Sequence, residues 1–334
     1  MDNENKVINH NFAKAPDLSD VSCPICKEPT KGIGPVENIS FGQTWRSDTI
    51  LELMKWTSIK TQLRMCLKCT HTAIFPKFNT SPIYSSNFFE VQTQARLRFK
   101  LNNINTSVLA STVFKASSLD FRRFELVSSY IGKVIGDNKD FHKKEFKILD
   151  WGGGDGYVSK QIAHAMEAVS PIKASVEVYD PVTWNVNDKK EKLEQLESHG
   201  YDLIIVSHVL EHLDDPVATL EKCKELLNPE GVLLVEVPDE RTRLVNSMLG
   251  GKTGLQYHVG HFSCRSLSRA INSAGLKCKK VNYQLSCSYR GKRMPTIIAA
   301  GVHGKNGVEY GQGREYVSFL LRVLVEIKGR FVNS

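Results

Sequence analysis

Three groups of residues in this 334-residue chain have types and spacings that could do chemistry. The first is Lys147 to Gly156, Lys-Ile-Leu-Asp-Trp-Gly-Gly-Gly-Asp-Gly, where a short apolar run ends in Asp150 and passes at once into glycines. Glycine at 152, 154 and 156 opens backbone conformations closed to residues with a Cβ and lets the main chain approach a ligand where a helix would begin. Such a turn serves dinucleotides and other adenosine ligands alike, and some bind nothing. The second group is two cysteine pairs, Cys23-Pro-Ile-Cys26 and Cys66-Leu-Lys-Cys69. A two-residue gap lets one knuckle of backbone aim two thiolates at a single ion, and four thiolates fill tetrahedral zinc with no position left for water. The expectation is therefore structural Zn²⁺, with a pair of disulfides as the competing reading. The third group is histidine with one acid: His208, Glu211, His212, His258 and His261. Histidine titrates near working pH and is the natural general base. His208 and His212 could equally cap or pack a helix, and a His-x-x-His pair could ligate a metal although no third ligand stands nearby.

Positioning these groups requires a sheet. Ser175 to Asp180 reads as a second strand ending in an acid about 30 residues after Asp150, the spacing at which a doubly wound sheet offers a carboxylate to ribose hydroxyls. A dehydrogenase could use the same device. Tyr201 to Ser207 reads as a further strand, and Leu276–Gln284 with Thr296–Gly304 alternate in strand fashion around a basic turn, as an antiparallel hairpin. Trp184, just past the second acid, is placed to cover an adenine or to serve as an ordinary core aromatic. Between Asp180 and Asp202 only a charged helical run, Asp188 to His199, is legible.

The run Tyr-Asp-Leu-Ile-Ile-Val-Ser-His-Val-Leu-Glu-His-Leu-Asp-Asp-Pro at 201–216 resembles the class I S-adenosylmethionine-dependent methyltransferases. Gly231 to Pro238 is similar to their fifth strand, and His258 to Gly275 to the His-x-x-x-Phe-Ser segment that follows; the resemblance covers about residues 120 to 303. It implies an α/β fold with a doubly wound, mostly parallel seven-stranded sheet of Rossmann-like type, ahead of which sits a small zinc-binding module. It also implies S-adenosylmethionine as methyl donor, held by Asp150, Gly152, Gly154, Gly156, Asp180, Trp184, Ser207 and His208. A zinc module ahead of such a domain resembles, more narrowly, bacterial methyltransferases of nucleotide-linked sugars, which carry Tyr-Ser-Ser after the second cysteine pair, as Tyr84-Ser85-Ser86 here. Those enzymes have Glu-His where this chain has Tyr257-His258, and continue into a further α/β domain where this sequence ends at Ser334. The resemblance makes His258 the expected base, with His261, one helical turn away if that loop is helical, and Tyr84, Glu211 and His212 as further catalytic candidates. The acceptor implied is a hydroxyl or carbon of a nucleotide-linked sugar or surface-glycan intermediate. A small aromatic or quinone-precursor hydroxyl, and a zinc-ribbon module that docks on RNA or protein, are the alternatives.

Composition permits these readings. The chain is 41% hydrophobic and 24% charged, ordinary for a globular protein. The net charge of +8 is scattered, as at Arg122–Arg123, Lys143–Lys144 and Lys279–Lys280, with no aromatic-interleaved basic block, which disfavours nucleic acid as partner. The first residues lack the apolar core of a signal peptide and no apolar run is long enough to span a bilayer, so a cytoplasmic protein is expected. The expected organisation is a flexible tail (1–20), the zinc module (21–80) with an apolar patch at Ile50, Leu51, Met54 and Trp56, and a connecting segment (81–119). The methyltransferase domain (120–305) would begin with a helix carrying Phe124, Val127, Ile131 and Val134. An amphipathic C-terminal helix (306–334, with Tyr316, Leu320, Leu324 and Ile327) would cap the core or pair with a second subunit. Cys223, Cys264, Cys278 and Cys287 are unpaired in spacing and read as small buried apolar residues.

Overall fold

The computed structural model describes residues 21–36, 61–75, 145–154, 156, 159–160, 162–164, 167, 173–180, 196, 198–240, 258–287 and 293–304. The expected tail, the 50–56 patch, Tyr84, the connecting segment, the 120–135 helix, Trp184, most of the charged run and the C-terminal helix lie outside the described residues.

The larger sheet grows from strands whose composition suits burial on both faces. Strand β6 (Tyr201–Ser207) is buried from Tyr201 through Val206, because it lies between β4 (Glu145–Trp151) and β7 (Leu227–Pro238) and is covered above and below. Strand β5 (Lys173–Tyr179) pairs parallel with the other side of β4, while β10 (Arg293–His303) and β9 (Leu276–Cys287) add antiparallel beyond β7. The order is β5-β4-β6-β7-β10-β9. The sheet is thus mixed, with six strands among the described residues rather than the seven expected. Its antiparallel edge follows from the hairpin, since a short connection cannot return a strand parallel.

Alternation across the pleat divides the core in two. Leu149, Ile204, Val206, Leu233 and Val235 face one cluster, together with helices α1 (Pro216–Leu226) and α2 (Cys264–Ser273). Ile148, Leu203, Ile205, Val232 and Leu234 face the other, with Ile162 and Ala163. Helix α1 starts where Asp215 accepts from Ala218 N at 3.1 Å with Pro216 in the first turn, and α2 starts in a capping box between Ser263 and Ser266. Cys223, Cys264 and Cys278 are completely buried, as expected of small apolar residues; the side chain of Cys287 lies outside the described residues.

A second sheet runs β1 (Thr30–Val36), β2 (Thr61–Cys66), β3 (Thr72–Phe75) and β8 (Gly260–His261). Its last strand comes from the chain beyond β7, so the cysteine module is built into the larger domain rather than appended to it. Thr72 pairs with His261 and Ala73 with Gly260. Among the described residues no helix is long and apolar enough to cross a membrane.

Candidate active site and metal centre

Parallel register brings the donor-side residues together. Asp150 stands opposite Val178 and Ile205, and Ser207 opposite Glu236, so the carboxyl ends of β4, β5, β6 and β7 form one rim, where open α/β sheets bind ligands. The glycine turn hangs from that rim. Gly152 (φ 70°) donates from its N–H to Tyr179 O at 2.7 Å, and a Cβ there would lie 2.5 Å from a methyl of Val209. Gly154 (φ 60°) donates to Asp180 Oδ2 at 2.9 Å, and a Cβ at this position would meet no atom within 4 Å. The turn therefore borders open space beside an acid, a cradle that fits the adenosyl and methionine parts of the expected donor.

Asp150 is 2% exposed and accepts from Ser159 Oγ at 2.7 Å, and its carboxyl packs against Gly153. It props the turn from beneath. Trp151 and Tyr179 stack at 4.5 Å between ring centroids beside it. Ser207 Oγ donates to Glu236 Oε2 at 2.7 Å, and His208, in a left-handed conformation (φ 56°), donates its N–H to Glu236 O at 2.8 Å.

The histidines gather across the rim around buried carboxylates. Glu211, on a single 3-10 turn (Leu210–His212), is 1% exposed, with Oε1 at 3.3 Å from His208 Nδ1 and 3.8 Å from His212 Nε2. Burial alone would raise its pKa, yet the hydrogen bond from His208 and the charges of His212, His208 and His258 bring it down to about 2. Glu240 Oε2 lies 2.6 Å from His261 Nδ1 and 3.0 Å from His258 Nδ1. Its burial opposes ionisation, but the two histidines hold it well below the usual carboxylate range. His212 and His258 meet edge to face at 4.8 Å.

His258 and His261 thus converge, but not by the helical spacing expected of them. His261 sits on β8, and the two rings meet because both turn to Glu240. The His261 side chain is 0% exposed, whereas that of His258 is 11% exposed and stands nearer solvent. Glu236 and Glu240 are absent from the sequence-based set. Their signal was an acid inside an otherwise apolar strand, Val-Glu-Val-Pro-Asp-Glu, where only a polar site accounts for it. Glu211, His212 and His258 also offer ligand atoms within 4.8 Å of one another, a set chemically able to hold a divalent cation.

The four cysteines come together as their spacing requires. Cys23 Sγ lies 3.5 Å from Cys69 Sγ and Cys26 Sγ 3.4 Å from Cys66 Sγ, with all four within 4.8 Å of one another. Sulfurs bound at about 2.3 Å to one tetrahedral zinc stand about 3.8 Å apart, so the cluster fits that ion and leaves no open ligand position. Hydrogen bonds from Cys23 and then Cys69 hold Cys66 far below the ordinary thiol range, while sharing that charge drives Cys69 far above it. Without a cation the charge thus concentrates on Cys66, and a bound Zn²⁺ would be what ionises its partners. His71, buried behind the second knuckle against the Phe262 ring at 4.8 Å, is pushed down to about 3 by desolvation and the neighbouring His261.

Residues 122–281 match the family model described as a methyltransferase domain. The match covers just under half of the chain and, with the sheet order, supports a methyltransferase-type Rossmann-like fold for this part of it. Among curated proteins, the ubiquinone biosynthesis O-methyltransferase of Actinobacillus pleuropneumoniae serotype 7 is 29% identical over 101 residues, 26% of this chain and 43% of that protein. Its counterpart in Yersinia enterocolitica is 26% identical over 164 residues, 41% of this chain and 66% of that protein. The chain thus spans less than two thirds of the length of either relative. Magnesium protoporphyrin IX methyltransferase from Synechocystis, solved with bound S-adenosylhomocysteine, is 17% identical with a TM-score of 0.38, covering 59% of this chain and 97% of that one.

Proposed function

We propose that the protein transfers a methyl group from S-adenosylmethionine to a hydroxyl of a small molecule, with His258 as base. The observation that carries this reading is a buried imidazole, less enclosed than His261, whose Nδ1 stands 3.0 Å from a buried carboxylate, Glu240, across the rim from the glycine turn. At that distance the Glu240 charge favours the tautomer with its proton on Nδ1, which would leave Nε2 of the neutral ring as the proton acceptor.

The donor supplies an electrophilic methyl on a sulfonium sulfur. The turn at Gly152–Gly156 and Asp180 would bind and orient it, Asp180 taking the ribose hydroxyls and Asp150 holding the turn's shape. As the oxygen–carbon bond forms and the sulfur–carbon bond breaks, the acceptor proton would pass to His258 Nε2. Glu240 would stabilise the imidazolium that results. His261, enclosed, would fix Glu240 rather than touch the acceptor. Glu211, equally enclosed, would act through His208 and His212.

For the acceptor, the paired cysteines and Tyr84-Ser85-Ser86 support a nucleotide-linked sugar. The names of the curated relatives favour a second reading, a phenolic quinone precursor. A turnover screen over both classes separates them: methylation of a nucleotide sugar supports the first, methylation of catechol-like compounds the second, and none with either counts against a small-molecule hydroxyl. The cysteine cluster is assigned structural zinc. Elemental analysis should give about one zinc per chain, lost in Cys66→Ser; two zinc per chain would place a second ion at Glu211, His212 and His258.

A further inference from the structure

The two cysteine knuckles share one backbone and have different fates. In each, the residue after the second cysteine is left-handed, Lys27 at φ 60° and Thr70 at φ 64°, and its amide closes onto the first cysteine's carbonyl, at 2.9 Å and 2.8 Å respectively. Lys27 is exposed and turns back, Nζ donating to Pro24 O at 3.1 Å inside its own knuckle. Thr70 is buried, at 8% exposure, in a conformation that β-branched residues strongly avoid. A glycine or asparagine would satisfy that backbone better, so the side chain must supply something they lack.

What it supplies is a hydroxyl with two partners: Oγ1 donates to Cys69 O at 2.6 Å inside its own knuckle and, its proton so used, faces outward as an acceptor. Thr70 Oγ1 lies 2.7 Å from the hydroxyl of Ser263, 193 residues along the chain. Ser263 is the N-cap of α2, where it also accepts from Ser266 N at 3.1 Å, and it follows directly on the segment that carries His258 and His261. The same segment is held along its length by the module. Thr72 and Ala73 pair with His261 and Gly260, Ile74 N donates to Val259 O at 3.0 Å, and Val259 N donates to Glu211 O at 2.8 Å. Gly260 lets the strand lie close, since a Cβ there would stand 3.2 Å from the His71 ring and the ring would have to give by a few tenths of an ångström. Strand β8 has only two residues and cannot order itself.

We infer that Thr70 is a positioning residue through which the metal-loaded Cys66–Cys69 knuckle fixes residues 258–263, and so sets the two histidines against Glu240. The catalytic consequence rests on the reading of His258 given above; the positioning does not. The cysteine module is then the frame for the acceptor side of the site and indifferent to the donor side.

The test compares wild type, Thr70→Val and Thr70→Ser as full-length, zinc-loaded proteins. Valine keeps the shape and β-branching and deletes only the hydroxyl, whereas serine restores it. Amide hydrogen exchange across 258–263, read at Gly260 and His261, which pair with the module's β3, should quicken at least tenfold in Thr70→Val and return close to wild type in Thr70→Ser. Zinc content and S-adenosylhomocysteine affinity by calorimetry should stay constant in both. Withdrawing zinc from the wild type with a chelator should quicken exchange in the same segment, an arm independent of how the valine variant folds. Unchanged exchange in Thr70→Val and after chelation, or a serine variant that behaves like valine, would overturn the inference. Quickened exchange with an unaltered pH–rate profile, on whichever acceptor the screen identifies, supports the positioning and counts against His258 as base.

Discussion

The two halves of the rim are preorganised by opposite means. On the donor half, the chain obtains its shape from residues that lack side chains: left-handed glycines, a backbone hydrogen bond to Asp180 and a buried Asp150 beneath. On the acceptor half it relies on side chains that are costly to bury, three enclosed glutamates set among four histidines. A backbone cradle is local and needs one short stretch of chain. The carboxylate–histidine lattice draws on β7, the 3-10 turn and β8, and it holds only while those elements stay registered. The lesson is that one site can be half conformational and half electrostatic, so the two halves should fail differently.

The sharpest break is at His258. His258→Ala should lower turnover by roughly 10² to 10⁴, the usual worth of a positioned base, with donor affinity intact and the rise of rate with pH lost. Steady-state kinetics beside calorimetry checks this. A large loss at His212 instead would move the base to the turn after β6. On the other half, Asp180→Ala should weaken S-adenosylmethionine binding at least tenfold, because each charge-assisted bond is worth roughly 1.5 to 3 kcal/mol. Calorimetry with unchanged affinity would remove Asp180 from the donor pocket.

Acid should distinguish the halves by stability. Glu211 titrates at about 2 when folded, below the ordinary carboxylate value, so its contribution is present above the unfolded pKa and is lost as pH falls through the folded one. Denaturant titrations between pH 5 and pH 2 should show wild type losing up to roughly 3 kcal/mol from this group, and Glu211→Gln losing less across that window. The gentlest probe is Gly152→Ala. A left-handed alanine costs about 1 to 2 kcal/mol before the clash with Val209 is relieved, and thermal unfolding with donor titration should register both. An alanine variant of full stability and affinity would show that the turn does not depend on that glycine.

Much of the donor half was legible because its determinants are contiguous. The apolar run, the acid and the glycines of 147–156 lie in sequence order, and one conformational rule connects them. The cysteine cluster was legible for a related reason: each CxxC is a complete local device, and four thiolates have few other uses. The acceptor half was harder. His258 and His261 stood out as types, yet the expected helical spacing gave way to a two-residue strand whose partner, β3, is encoded almost 190 residues earlier. Glu236 looked like an interruption of an apolar strand until register set it opposite Ser207, and Glu240, two residues past the end of β7, is placed by its contacts with the two histidines. Thr70 carried no sequence signal, because a threonine after a cysteine pair is unremarkable until its φ and its distant partner are seen.

The sequence alone therefore determined the chemistry available: thiolates in pairs, a glycine turn ending a strand, and histidines with an acid near strand ends. Residue type and short-range spacing are enough for that, since each device closes on itself within a few residues. Only the tertiary structure decided which groups share a charge, which of His258 and His261 stands nearer solvent, and that the cysteine module pairs with the strand beside them. Those outcomes depend on burial and on strand register between distant segments, and neither is a property of any single stretch of chain.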